Sequence, residues 1–257
     1  MLYYRIYENN ESNEWVTFIH GAGGSSNIWY KQIRDYKQNF NVLCIDLRGH
    51  GKSNHVLWKK GDSFHHISEE VIEVLDFLNI ESTHFVGMSL GTIIIQTLTR
   101  SHPNRVKSMI LGGAIIQLNI RTKFLIMIGN IFKRIIPYLW LYKVFAWIIM
   151  PKECHSESRH AFVEQAKKMC QKEFCRWFKL TKSLNPYLHR LQLVTRGIPT
   201  LFVMGADDYL FLTPIKELVK RQTFLKLACI EESGHVCNID QPKRFNKITI
   251  NFIKQMI

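Results

Sequence analysis

Gly87-Met88-Ser89-Leu90-Gly91 is the stretch whose reading decides the fold. It stands between an apolar run at residues 83–88 that reads as a strand and residues 90–100, which read as a helix. Strand, Gly-x-Ser-x-Gly and helix together describe a sharp turn that holds a serine in a strained backbone conformation. The glycines on either side remove the β-carbons that would collide there. On its own the five-residue pattern is weak, since a chain of this length contains it by chance roughly one time in ten. Its meaning depends on what surrounds it.

Outward from this turn, short apolar runs alternate with helical patterns. Candidate strands are residues 3–7, 15–20, 41–46, 83–88, 106–112, 199–204 and 224–230. Residues 68–78 set Val71, Val74, Leu75 and Leu78 on one helical face, and Pro242 suits the first turn of a last helix. The alternation is that of an α/β protein, with a mostly parallel central sheet flanked by helices on both faces.

It breaks at residues 114–196, which contain helix-like segments and no convincing strand. The chain therefore divides into a core, residues 1–113 and 197–257, and an inserted helical unit, residues 114–196. Residues 118–150 are very apolar, but Lys133, Arg134, Pro137 and Lys143 interrupt them before the ~20 residues that a membrane span requires. Within them Phe124, Met127, Ile131, Leu139, Trp140, Phe145 and Trp147 recur at helical spacings. They are expected to pack on the core or to line an apolar acyl pocket over the site.

The 257 residues are 46% hydrophobic and 21% charged, the composition of an ordinary globular chain with one large core. The net charge of +13 is concentrated. The insertion holds fifteen Lys and Arg against four Glu, a net +11 that leaves the rest near neutral. Such a face is expected to be solvated, with an anionic membrane surface as a possible partner. No nucleic-acid-binding motif accompanies the charge, so nucleic acid is not expected. The N-terminus lacks a basic flank leading into an apolar run, so a cytoplasmic location is expected. Six cysteines at irregular spacings read as free thiols and argue against a zinc site. Nothing in the sequence specifies an oligomeric state.

Three further segments carry chemistry. His20-Gly21-Ala22-Gly23-Gly24 closes a strand with small residues, so backbone amides can face a cavity; Ala22 and Leu90 N–H are the candidate oxyanion donors. Gly21, Gly23 and Ser26 lack the third glycine of a dinucleotide loop, and Asp46 stands where a phosphate loop ending in Gly51-Lys52-Ser53 would need glycine. Asp46 to Ser53 is left as a strand end and a loop. Gly205-Ala206-Asp207-Asp208 and Gly234-His235-Val236-Cys237 each follow a strand, at the sheet edge where open α/β sheets place ligand groups. The residues alone leave either aspartate open.

With these segments in order, the sequence resembles the α/β-hydrolase superfamily, in its small capped serine esterase-like branch. The resemblance rests on His20-Gly21 with Trp29, the Asp46 to Ser53 segment, the turn at Ser89, Gly205-x-x-Asp208 with Pro214, and Gly234-His235 with Asn238 and Pro242. It implies a catalytic triad of Ser89, Asp208 and His235, with Asp208 rather than Asp207 as the acid. It also implies a helical cap between the sixth and seventh strands. Residues 209–213 make the interval before Pro214 longer than the family usually has. The implied activity is cleavage of a carboxylic ester, lactone or thioester of a small-molecule acyl substrate through an acyl-enzyme, with no cofactor and no metal. Serine in place of a carboxylate nucleophile argues against dehalogenase or epoxide hydrolase chemistry. Two other readings share the fold: a carbon-skeleton lyase or synthase of the menaquinone-pathway type, and a noncatalytic binding module.

Overall fold

Residues of alternating direction along each strand sort into two apolar layers, and that sorting builds the sheet. In β2 (Trp15–Ile19), Val16 and Phe18 face one layer and Ile19 the other; in β3 (Asn41–Ile45), Val42 and Cys44 oppose Leu43 and Ile45. The same division holds in β4 (Thr83–Met88), β5 (Val106–Gly112) and β6 (Thr200–Gly205), where Val86, Ile110 and Val203 share the first layer and Phe85, Leu111 and Phe202 the second. Strands buried on both faces are what a parallel sheet covered by helices requires.

The computed structural model describes residues 1–132, 135–180, 184, 187–188, 197–222 and 224–257. With β1 (Tyr4–Tyr7) and β7 (Leu225–Ile230), the sheet has seven strands in the order β1-β3-β2-β4-β5-β6-β7. Among the described residues only β1 is antiparallel, paired Tyr4 to Ile45 along β3. β4 lies in the interior between β2 and β5, so the loop that follows it opens at the middle of the sheet's C-terminal edge.

One face is covered by α1 (Ile33–Lys37) and by the C-terminal helix Pro242–Lys254, through Tyr36, Phe245, Phe252 and Ile253 around Trp29 and Phe18. The Tyr36 hydroxyl donates to Thr249 Oγ1 at 2.6 Å and joins these two helices. α2 (Phe64–Phe77) and α3 (Leu90–Ser101) cover the other. α2 begins four residues earlier than the sequence suggests, because Phe64 and Ile67 extend its buried face by a turn and Ser63 stands extended before them.

Between β5 and β6 run α4 (Ile120–Phe132), α5 (Tyr138–Ile149), α6 (Ser156–Ala166) and α7 (Gln171–Leu180). The insertion thus lies in the expected interval, after the strand at residues 106–112 and before that at 199–204, but these are the fifth and sixth strands of this sheet, not the sixth and seventh that the resemblance implies. Lys133, Arg134, Lys182, Arg190 and Arg196, with the C-terminal boundary of the insertion, lie outside the described residues. After β6 come α8 (Leu212–Arg221), α9 (Cys237–Asp240) and α10, the helix at Pro242–Lys254 named above. Pro242 occupies the first turn of α10, as its missing N–H allows.

Burial lowers the basicity of three of the buried histidines. Burial holds His20 below the ordinary value of 6.5, and His50 well below it with the neighbouring His20 adding to the effect. Burial likewise brings His84 down to about 4. Each is neutral in the fold and takes up a proton more readily in the unfolded chain, so the unfolded state gains protons first as pH falls. Their contribution is complete above about pH 6.5 and is lost as pH drops below it. Thermal melts from pH 7.5 to 5 are expected to show a falling midpoint below about pH 6.5, and His50→Gln is expected to flatten that fall. A midpoint independent of pH across this range would contradict the burial of neutral histidines.

Candidate active site

Ser89 joins β4 to α3 at φ 52° and ψ −114°, a positive φ that non-glycine residues rarely adopt. Its N–H donates to Gly112 O at 2.9 Å, and its carbonyl accepts from Thr92 N at 2.9 Å and Thr92 Oγ1 at 2.6 Å. The turn closes because Gly91 has no side chain: a Cβ there would collide with the Ile19 carbonyl at the end of β2, and one at Gly87 would meet Ile95 Cδ1 at 2.5 Å. Helix, serine turn and the end of β2 are therefore in direct contact.

The loops after β6 and β7 bring the other two groups to the same edge. The Asp208 N–H donates to Gly205 O at 3.1 Å, and its side chain faces the loop after β7. His235 Nδ1 lies 2.8 Å from Asp208 Oδ2, and His235 Nε2 lies 2.9 Å from Ser89 Oγ. Both His235 and Asp208 are almost fully buried. A carboxylate can only accept, so the ring carries its proton on Nδ1 and leaves Nε2 to accept from the serine hydroxyl. Phe211 packs against the imidazole with ring centroids 5.1 Å apart, and its own N–H reaches Asp208 Oδ1 at 3.3 Å.

Asp207 has a different position. Lys152 Nζ sits 2.6 Å from its Oδ1 and His155 Nε2 lies 3.3 Å from its Oδ2, so this carboxylate ties the insertion to the core. Cys154, His155 and Asp207 offer three ligand atoms within 4.8 Å of one another. The resident Lys152 ammonium occupies the charge that a cation would seek there.

Ala22 and Leu90 line the same cavity as Ser89 and His235. Leu90 is the first residue of α3, so its N–H belongs to a turn without intrahelical acceptors. The loop carrying Ala22 is clamped by residues that the sequence reading left without a role. His20 Nδ1 donates to Gly21 O at 2.7 Å while its Nε2 accepts from Leu47 N at 2.9 Å. His50 Nδ1 donates to Arg48 O at 3.0 Å while its Nε2 accepts from Gly23 N at 3.0 Å. Both rings are neutral in this arrangement, in agreement with their lowered basicity. Asp46 accepts from Ser26 N at 2.6 Å and from Lys52 N at 2.9 Å. The signal for this clamp was the His-Gly pair after β2 together with the polar run Asp46 to Ser53 after β3, adjacent strands whose loops must meet.

The cavity of about 250 Å³ runs from Ser89 into the insertion. Its walls are apolar, with Leu125 and Ile126 from α4, Ile148 and Ile149 from α5, and Phe162 and Trp177 beyond them. Of the seven apolar residues expected to line it or pack on the core, Phe145 lines it and Leu139 packs on the core. Phe124, Met127, Ile131, Trp140 and Trp147 are exposed instead. They fall on the outer sides of α4 and α5, whose inner sides are equally apolar, so spacing alone did not separate the two.

This fold and this edge are those of the α/β hydrolases, and the chain belongs to that family: the family model for the alpha/beta hydrolase fold matches residues 14–160. Among curated proteins, it is 27% identical to the "Putative carbamate hydrolase RutD" of Acinetobacter baylyi, over 98% of this chain and 97% of that one. It is 21% identical to 3-oxoadipate enol-lactonase 1 of the same organism, over 94% and 89% of the two chains. Among solved structures, a thermophilic esterase from Thermogutta terrifontis superposes with a TM-score of 0.82 at 15% identity, over 99% of this chain and 93% of that one.

The packing at Gly91 is directly testable. Gly91→Ala is expected to lower stability by about 1–3 kcal/mol, because the added methyl displaces β2 or α3 in a filled core. Urea melts of the two proteins give the difference, and an unchanged midpoint would contradict the contact with Ile19.

Proposed function

We propose that the protein is a serine hydrolase that cleaves a carboxylic ester, or a related lactone or thioester, with an apolar acyl group. The observation that carries this reading is the pair of hydrogen bonds linking Ser89, His235 and Asp208 at the base of an apolar cavity. A noncatalytic module has no use for a serine strained at φ 52° with a buried imidazole on its hydroxyl. The hydrolase names of the relatives agree with it.

In the mechanism, the Ser89 oxygen attacks the carbonyl carbon while its proton passes to His235 Nε2. Asp208 holds the imidazole by Nδ1 and stabilises the imidazolium that forms. The carbonyl oxygen becomes an oxyanion, and the Ala22 and Leu90 amides are the donors that receive it. His235 then returns its proton to the leaving alcohol, and the acyl group remains on Ser89. Water, deprotonated by His235, attacks the acyl-enzyme; the bond to Ser89 breaks, Ser89 Oγ takes the proton back from His235, and the acid leaves. The insertion acts as a cap whose inner walls bind the acyl chain and keep bulk water from it.

Purified protein assayed on p-nitrophenyl esters of increasing acyl length tests the reading. Ser89→Ala is expected to lose about four orders of magnitude or more in kcat while remaining folded. Asp208→Asn is expected to lose about the same, and Asp207→Asn less than about tenfold, since its carboxylate faces Lys152 and His155 and not His235. For wild type, kcat/KM should rise by up to about fourfold per methylene that the cavity buries. Full turnover by Ser89→Ala would end the proposal, and a larger loss at Asp207 than at Asp208 would move the acid. A product formed by elimination instead of hydrolysis would turn the reading to a lyase.

A further inference from the structure

α4 and α5 are apolar on both sides. On α4 the inner side carries Leu125, Ile126 and Gly129 against the cavity, while Ile120, Phe124, Met127 and Ile131 form an exposed stripe at spacings of four, three and four residues. On α5, Tyr142, Ala146 and Ile149 are buried, and Trp140, Lys143, Val144 and Trp147 form a second exposed stripe. Ile120 is 86% exposed and Trp140 63%. Helices apolar all round belong in a protein core or against lipid, so two such outer stripes require an occupant.

The charge around the stripes identifies it. No Asp or Glu occurs between Glu81 and Glu153, whereas Arg121, Lys123 and Lys143 are exposed on or beside the two stripes. Trp140 has Lys143 Nζ 5.4 Å from its ring, and Trp147 has the Arg159 guanidinium at 3.8 Å. Tryptophan interleaved with Lys and Arg on an apolar helix face is the composition of a bilayer interface, where the rings sit among headgroups and the cations meet anionic lipid. A second copy of the chain would bring two such cationic faces together, since Glu164 beside Lys143 and Trp147 is already paired with Lys167, and like charges repel. Val144 and Phe145 are exposed and also line the cavity, so the apolar surface is continuous from the outer face to Ser89.

We propose that the outer faces of α4 and α5 form a docking surface for an anionic lipid bilayer. Phe124, Ile131 and Trp140 enter the interfacial region, Arg121, Lys123 and Lys143 hold the headgroups, and the mouth at Val144 and Phe145 opens onto the lipid. Docking requires no turnover, so it stands or falls separately from the role of Ser89. No helix among the described residues is long and apolar enough to cross a membrane, so the contact is with one leaflet.

Co-sedimentation of the full-length protein with phosphatidylglycerol and phosphatidylcholine vesicles, across a salt series, tests the proposal. Wild type is expected to sediment with phosphatidylglycerol, and to bind phosphatidylcholine about tenfold or more weakly. Rising salt should release it. The triple variant Phe124→Ser/Ile131→Ser/Trp140→Ser should lose sedimentation while still hydrolysing the water-soluble p-nitrophenyl acetate, since none of the three lines the cavity. Lys123→Glu/Lys143→Glu, which leaves the apolar stripes intact, should weaken binding by about tenfold or more. Failure of wild type to bind phosphatidylglycerol, equal binding to both lipids regardless of salt, or undiminished binding by the charge-reversed protein would overturn it. So would self-association of wild type that the triple variant abolishes, which would assign the face to a second copy.

Discussion

The close approach of Gly91 to the Ile19 carbonyl sets most of what lies at the sheet's C-terminal edge. It lets α3 start directly over the end of β2, so the β4–α3 turn is sharp enough to hold Ser89 at a positive φ. A non-glycine residue in such a conformation costs on the order of 1–3 kcal/mol. The bonds to Gly112 O and from Thr92 offset that cost with fixed backbone partners. The same contact places the first amide of α3 beside the loop that leaves β2, so one steric requirement governs both the serine and the two candidate oxyanion donors.

Around that point, the core and the insertion are fastened by polar and packing contacts. Trp177 Nε1 donates to Arg48 O at 3.0 Å, and the Arg48 guanidinium holds Glu70 of α2 and Asp62. Tyr142 of α5 packs where a side chain at Gly23 would stand, against the loop that carries Ala22. Lys152 and His155 reach Asp207, next to the acid of the candidate triad. The helices that form the cavity walls are thus fixed to the loops that hold the candidate triad.

The strands were legible because each is a short apolar run between turn residues, and alternation along them survives in the two layers that cover the sheet. Ser89, Asp208 and His235 were legible through their order and their places after strands, a one-dimensional signal. His50 and Asp46 were not, since their partners Gly23 and Ser26 lie twenty or more residues away and only the pairing of β2 with β3 brings them together. The spacing of apolar residues in α4 and α5 identified helices but not their orientation. When both sides are apolar, periodicity loses the contrast that separates inside from outside.

Chemical trapping of the serine tests the central claim most directly. Incubation of the native protein with a fluorophosphonate, followed by peptide mass mapping, should place one phosphonyl group on Ser89. The same treatment of His235→Ala should leave Ser89 unmodified, because the hydroxyl then lacks the base that takes its proton. Labelling spread over other serines, or labelling of Ser89 to the same extent without His235, would contradict an activated nucleophile at this turn.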